Sequence, residues 1–278
     1  MEEKTFTDDY NDRFSTPIIA YTHIASIISS LHPLTIYDPY FCIDTVTPSL
    51  SSALSNLPLP PSPLPNIINR NRDFYADIAN NTLPPHDILV TNPPYSSDHK
   101  EKAMDFVINR NADRPFFCLM PSYVANRKYY KDLISEKQNT SKMYKHFFVV
   151  PKTRYEYNHP ENTGHETSPF FSIWFCGNVS KRVLEGVKIG GREGKFDIVK
   201  SLHDLESRNV EGIRGEGEKR LSSKRRKKLR KKKEEEGEEA IVISNNNSND
   251  NSNNESSKKR KKNSKHRDLE GKRNKKRF

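Results

Sequence analysis

The sequence predicts an α/β fold: a mostly parallel sheet with helices on both faces, an antiparallel edge, and a disordered C-terminal tail. Three observations carry that expectation. Short apolar runs alternate with segments of helical spacing, the order expected of strands joined by crossover helices. The runs are apolar throughout rather than every second residue, so both faces of each strand are buried. The last two runs have no clear helix between them, which predicts an antiparallel pair at one edge.

The elements follow in order. Residues 16–31 read as a helix. Thr16 is a candidate cap, Pro17 suits the first helical position, and Ile18, Tyr21, Ile24, Ala25, Ile28 and Leu31 recur at helical spacing. Leu34–Asp38 is a short strand ending at an acid. Residues 56–65 contain Pro58, Pro60, Pro61, Pro63 and Pro65 and form an extended surface loop. Asn66-Ile67-Ile68 supplies the next strand and Asp73-Phe74-Tyr75 a further short element. Ile88–Thr91 is a buried strand, and residues 98–109 form a helix with Ala103, Met104, Phe106, Val107 and Ile108 apolar. Phe116–Met120 is a strand stopped by Pro121, and residues 123–136 are helical. His146–Val150 and Phe170–Cys176 form the closing pair, and residues 181–213 hold one more strand or a few edge elements.

Charge divides the chain in two. Residues 214–278 contain 24 Lys and Arg against 11 Asp and Glu, a net +13 that leaves the first 213 residues at −2. The tail is basic and Asn/Ser-rich and cannot bury enough apolar surface to fold alone. The expected organisation is therefore one domain over 1–213, with its core at about 14–176, and a disordered tail over 214–278. Dense clusters such as Lys224–Lys233 suit nuclear, even nucleolar, import and a salt-sensitive grip on nucleic acid. Cys42, Cys118 and Cys176 lie in or beside apolar runs, which suits reduced thiols better than a disulfide framework or a zinc site. No apolar stretch approaches membrane-spanning length, and the N-terminus lacks a secretory h-region. No membrane contact is expected.

The chemistry centres on Asn92-Pro93-Pro94-Tyr95, which ends the strand at Ile88–Thr91. Pro93 has no N–H and Pro94 biases it towards extended geometry, so the strand stops in a stiff corner. The corner displays a carboxamide, a carbonyl and an aromatic ring. With its upstream strand, terminal acid and Asp-Phe pair, this order resembles the class I S-adenosylmethionine-dependent methyltransferases, in the branch that methylates planar nitrogen. The resemblance spans about residues 14–176. It implies a Rossmann-like seven-stranded sheet with a final antiparallel strand, and S-adenosyl-L-methionine as cofactor.

Residue by residue, the resemblance implies that Asn92 and the Pro93 carbonyl accept hydrogen bonds from a target amine, with Pro94 stiffening the corner. Tyr95 would stack on the target ring. It implies cofactor contacts from Phe14, Thr16 and Pro17, from Asp38 after the first strand and from Asp73-Phe74; after the second strand Asn69 stands in place of the family's acid and can still hydrogen-bond the ribose hydroxyls. One departure is plain. The family has a glycine-rich turn where this chain has Asp38-Pro39-Tyr40-Phe41-Cys42-Ile43-Asp44, with Cys42 and Asp44 at the expected glycines. The segment from Lys152 to Pro169 is a polar, aromatic loop bordering the acceptor side, with Lys152 and Arg154 available for phosphate and Tyr155 or Tyr157 for stacking. His159, His165 and Glu166 lack the further ligand a metal site needs. No metal is expected.

The leading expectation is methylation of the exocyclic amine of adenine in nucleic acid, RNA ahead of DNA, with room for an activating protein partner. Two alternatives stay open: N-methylation of a protein glutamine, and a non-catalytic nuclear RNA-associated protein with a degenerate pocket.

Overall fold

The computed structural model describes Asp12 and residues 14–41, 45–141, 144–157, 170–187, 195–208 and 210–213. Cys42, Asp44, His159, His165, Glu166 and the basic tail lie outside them. Seven strands form one mixed sheet: β1 Thr35–Tyr37, β2 Asn66–Ile68, β3 Ile88–Thr91, β4 Phe116–Pro121, β5 His146–Pro151, β6 Ser172–Gly177 and β7 Phe196–Val199. Their order across the sheet is β2-β1-β3-β4-β6-β5-β7. Strands β2, β1, β3 and β4 are parallel neighbours. β6 runs antiparallel to both β4 and β5, and β7 closes the edge antiparallel to β5. The α/β class, the seven strands and the antiparallel edge agree with the sequence expectation.

The continuous apolar runs feed two cores. Phe117 and Leu119 of β4 point to one face with Ile36, Val90 and Trp174, beneath helices α1 (Ile18–Ser29) and α2 (Val46–Ser55). Phe116, Cys118 and Met120 point to the other with Leu89, Phe148 and Phe175. That face is covered by α4 (His99–Asp105) with its π-turn (Phe106–Arg110), and by α5 (Lys128–Thr140). Short helices α3 (Phe74–Asn80), α6 (Lys181–Gly186) and α7 (Leu202–Ser207) complete the described chain. Trp174 pins α1 to the sheet by donating its indole N–H to the Ala20 carbonyl at 3.1 Å. Cys118 and Cys176 are buried free thiols. No described helix is long and apolar enough to cross a membrane.

Three local expectations are corrected. The first helix starts at Ile18 with Pro17 as its N-cap and no side-chain cap, so Thr16 does not cap it. The helix expected over 123–136 is a 3-10 turn (Ser122–Asn126) and then α5, separated at Arg127. Helix α2 was not anticipated. Its sequence, Val46-Thr-Pro-Ser-Leu-Ser-Ser-Ala-Leu-Ser55, has poor intrinsic propensity. Burial of Val46, Leu50, Ala53 and Leu54 against α1 holds it instead.

For function, one topological fact matters most. The chain leaves β1 to make β2 on one side and returns to make β3 on the other. The carboxyl ends of β1 and β3 therefore flank a switch point, where open α/β sheets form their ligand crevices.

Candidate functional site

The corner after β3 is held from both sides by the N-terminal segment. Asn92 donates its Nδ2–H to Thr16 Oγ1 at 2.9 Å, across 76 residues of sequence. Its Oδ1 accepts from the Tyr95 hydroxyl at 2.7 Å, and that hydroxyl also lies 3.2 Å from the Leu119 carbonyl of β4. Asp12 accepts from the backbone N–H groups of Tyr95 at 2.8 Å and Ser96 at 3.1 Å, and from the Ser96 hydroxyl. The Lys100 ammonium donates to the Tyr95 carbonyl. Phe170 meets the Tyr95 ring edge-on, with centroids 5.2 Å apart at 69°. Burial, followed by the neighbouring Tyr157, pushes the Tyr95 phenol well above its usual pKa, so it stays a neutral donor. Among the described residues nothing donates to the Pro93 carbonyl.

Across the switch point, Asp38 ends β1. It is 2% exposed, and its Oδ1 accepts from Thr91 Oγ1 at 2.5 Å and from the Tyr40 N–H at 3.1 Å. Burial raises its carboxyl from 3.8 to about 7, against the pull of those two donors. Asn69, after β2, donates to the Asp38 and Tyr40 carbonyls at 3.1 and 3.2 Å and so braces the turn. Its Oδ1 is buried with no partner among the described residues. A buried amide oxygen without a donor is costly.

Between these halves lies a cavity of about 300 Å³, bordered by Pro39, Asp73, Phe74, Tyr75, Pro94 and His99 among others. Asp73 is the N-cap of α3, accepting from the Tyr75 and Ala76 N–H groups through Oδ1, while the residue stays exposed. Phe74 is buried edge-on to Tyr40 (5.2 Å) and Phe106 (5.0 Å). Four residues that sequence reasoning missed join them: Tyr40, Tyr75, His99 and Lys102. The hydroxyls of Tyr40 and Tyr75 lie 3.0 Å apart, and the Tyr75 hydroxyl lies 2.8 Å from His99 Nδ1. Lys102 sits over the Tyr75 ring at 5.1 Å and pairs with Asp98. Tyr75, next to Phe74, had a signal in its position; Tyr40, His99 and Asp12 had none.

The structure thus brings Thr16 to Asn92 and Tyr95, and gathers Pro39, Asp73, Phe74 and Pro94 around one cavity. Phe14 and Pro17 flank Thr16 in the same segment. The expected phosphate and stacking residues fall elsewhere. Tyr155 is only 2% exposed, packed among the residues under α1, with its hydroxyl 2.8 Å from His23 Nδ1. It has no face open to a base. Lys152 pairs with Asp197, and Arg154 with Glu211. Both are partly exposed surface pairs; of the three residues, Tyr155 is corrected, because its ring is enclosed. Tyr157 also packs against that core, with its hydroxyl buried. Among the described residues no group of His, Cys, Asp and Glu is placed to hold a metal ion.

No family model and no curated protein matches the chain. Among solved structures it is similar to protein LPL1258 from Legionella pneumophila str. Philadelphia 1, described with the family model DUF519. Identity is 11%, over 67% of this chain and 97% of that one, with a TM-score of 0.36. A superposition at that level carries no argument. The fold is read from the strand order and the site from its own contacts.

Proposed function

We propose that the protein is an S-adenosylmethionine-dependent methyltransferase acting on the exocyclic amine of adenine in nucleic acid, with RNA the favoured substrate. One observation carries the reading: a single cavity at the switch point has Pro39, Asp73 and Phe74 on one side and Pro94 of the Asn-Pro-Pro-Tyr corner on the other. Its size falls at the lower end of small-molecule sites.

The residues fit the cofactor. The exposed Asp73 carboxylate offers an oxygen to an amino group, and Phe74 and Pro94 offer apolar walls, while Asn69 braces the turn at Asp38–Tyr40. Asp38 is a buried acid suited to a nearby cation. When bound, the cofactor supplies an electrophilic methyl group on a sulfonium centre. The chain's own residues do the rest. Asn92 Oδ1 and the Pro93 carbonyl accept hydrogen bonds from the two N–H groups of the amine, which draws its lone pair out of conjugation and aims it, and the proton shed after methylation leaves to water. Thr16 and Tyr95 hold the carboxamide while it does so. Tyr95 supplies the aromatic surface against the target. The basic tail supports a nucleic-acid acceptor and a nuclear setting.

The test is calorimetric titration with S-adenosylmethionine, followed by methyl transfer from labelled cofactor into a cell lysate with and without ribonuclease. Binding, and label that disappears with ribonuclease, are expected. No heat at millimolar cofactor would sink the enzyme reading, and label in ribonuclease-resistant protein would move the acceptor to glutamine.

A further inference from the structure

With Lys152, Arg154 and Tyr155 occupied elsewhere, an acceptor strand needs another hold. The sheet suggests where. β3 and β4 are parallel neighbours, with Thr91 opposite Cys118, so the corner at Asn92–Tyr95 and the turn at Ser122–Asn126 emerge side by side at one edge. Tyr95 also reaches across to β4 through its contact with the Leu119 carbonyl.

Two cations stand at this edge. Lys100, at the start of α4, donates to the Tyr95 carbonyl and keeps two further N–H donors. Arg127, exposed just before α5, lies over the half-buried Tyr123 ring at 5.2 Å, an arrangement that orients a guanidinium without neutralising it. Neither forms an ion pair with a described carboxylate, in contrast to Lys152, Arg154, Lys102 and Arg72. Both follow the carboxyl ends of neighbouring parallel strands, Lys100 after β3 and Arg127 after β4. The Lys100 ammonium is held below its usual pKa first by burial and then, against the opposing pull of Asp12 and Glu101, by Arg127. Two cations without an ion-pair partner among the described carboxylates, standing beside a candidate acceptor corner, offer their remaining N–H donors to a phosphate.

We propose that Lys100 and Arg127, with Tyr123 as the support of Arg127, form the phosphate-binding shelf that lays a single-stranded nucleic acid across the Asn92–Tyr95 corner. This rests on the adenine reading of that corner and assigns the residues that hold the backbone of its nucleic-acid substrate.

The test uses the full-length protein and a fluorescein-labelled single-stranded adenine-rich RNA, with affinity followed across a potassium chloride series. The tail contributes equally to every variant, so the comparison isolates the shelf. For Lys100→Gln with Arg127→Gln, the slope of log affinity against log salt should become shallower by about 1.4, two phosphate contacts on a single strand. Arg127→Gln alone, at an exposed position, should remove about half of that and guards against misfolding of the double variant. Lys100→Arg with Arg127→Lys should restore the slope, whereas Lys152→Gln with Arg154→Gln should leave it unchanged. An unaltered slope in folded Arg127→Gln and in the double variant overturns the shelf. The two readings fail separately. Loss of slope without any methyl transfer leaves the shelf standing and removes the methyltransferase. Methyl transfer to adenine with an unaltered slope does the reverse.

Discussion

Asp38→Asn offers the sharpest physical test of the site, because a carboxyl buried at the end of β1 must leave a signature in stability. Burial pushes its pKa up to about 7 in the fold, against 3.8 for an ordinary aspartate. Between those values the native state holds a proton that the unfolded chain has lost. A raised acid of this kind stabilises the fold at low pH, and that contribution is lost as pH rises through about 7. From about pH 5 to about pH 8 the linkage amounts to about 2.5 kcal/mol, an upper figure because the two donors on Oδ1 also relax. Asparagine has the shape of the neutral carboxyl and can keep the bonds from Thr91 and the Tyr40 N–H through its own oxygen. Urea unfolding of both proteins at the two pH values isolates the effect, since other titrating groups cancel in the difference. The variant should gain on the parent by about that amount between the lower and the higher pH. Parallel pH dependence would mean that Asp38 is not a buried, raised acid, and the cation site assigned to it would go too.

Other expectations are as direct. If the cofactor's positive charge settles near Asp38, binding near neutral pH should release protons. Titrations in buffers of different ionisation enthalpy would show this, and no buffer dependence counts against the placement. Thr16→Val should lower kcat for methyl transfer by roughly tenfold, the effect of about 1.4 kcal/mol of lost positioning, while cofactor affinity holds. Thr16→Ser should restore it, whereas equal losses in both variants would make Thr16 a packing residue. His23 and His146 are both lowered to about 4, chiefly by burial. Their depressed values mean that stability is complete above about 6.5 and is lost as pH falls towards about 4; a flat acid limb in an Asp38→Asn background would contradict their burial. Tyr155→Phe should cost about 1 kcal/mol in stability through the lost bond to His23 and leave RNA affinity unchanged. Weakened RNA binding would reinstate Tyr155 as a stacking residue.

What was legible in the sequence, and what was not, follows from the range of the forces. Ile88–Thr91 could be assigned because four buried apolar residues are followed by two prolines, a local signal for both strand and stop. β5 and β6 were readable as apolar runs that stop at Pro151 and Gly177. Helix α2 was not, because its Ser- and Pro-containing sequence becomes helical only through packing on α1. Thr16 looked like a cap because local rules favour one there, yet its hydroxyl serves Asn92, which only the folded sheet brings near. Arg154 and Tyr155 looked alike as loop residues. The strand pair beside them turns Arg154 towards Glu211 and Tyr155 into the core. Asp73 has two roles in the fold: it caps α3 and also borders the cavity.

The central claim is that the Asn92–Tyr95 corner delivers an adenine amine to a methyl donor. It is tested most directly by incubating the full-length protein with S-adenosylmethionine and single-stranded RNA, then analysing the nucleosides by mass spectrometry. The account predicts N6-methyladenosine with the native protein and none with Asn92→Ala, which should still bind cofactor. Methylation that survives in Asn92→Ala, or a methyl group found on another atom, would contradict it.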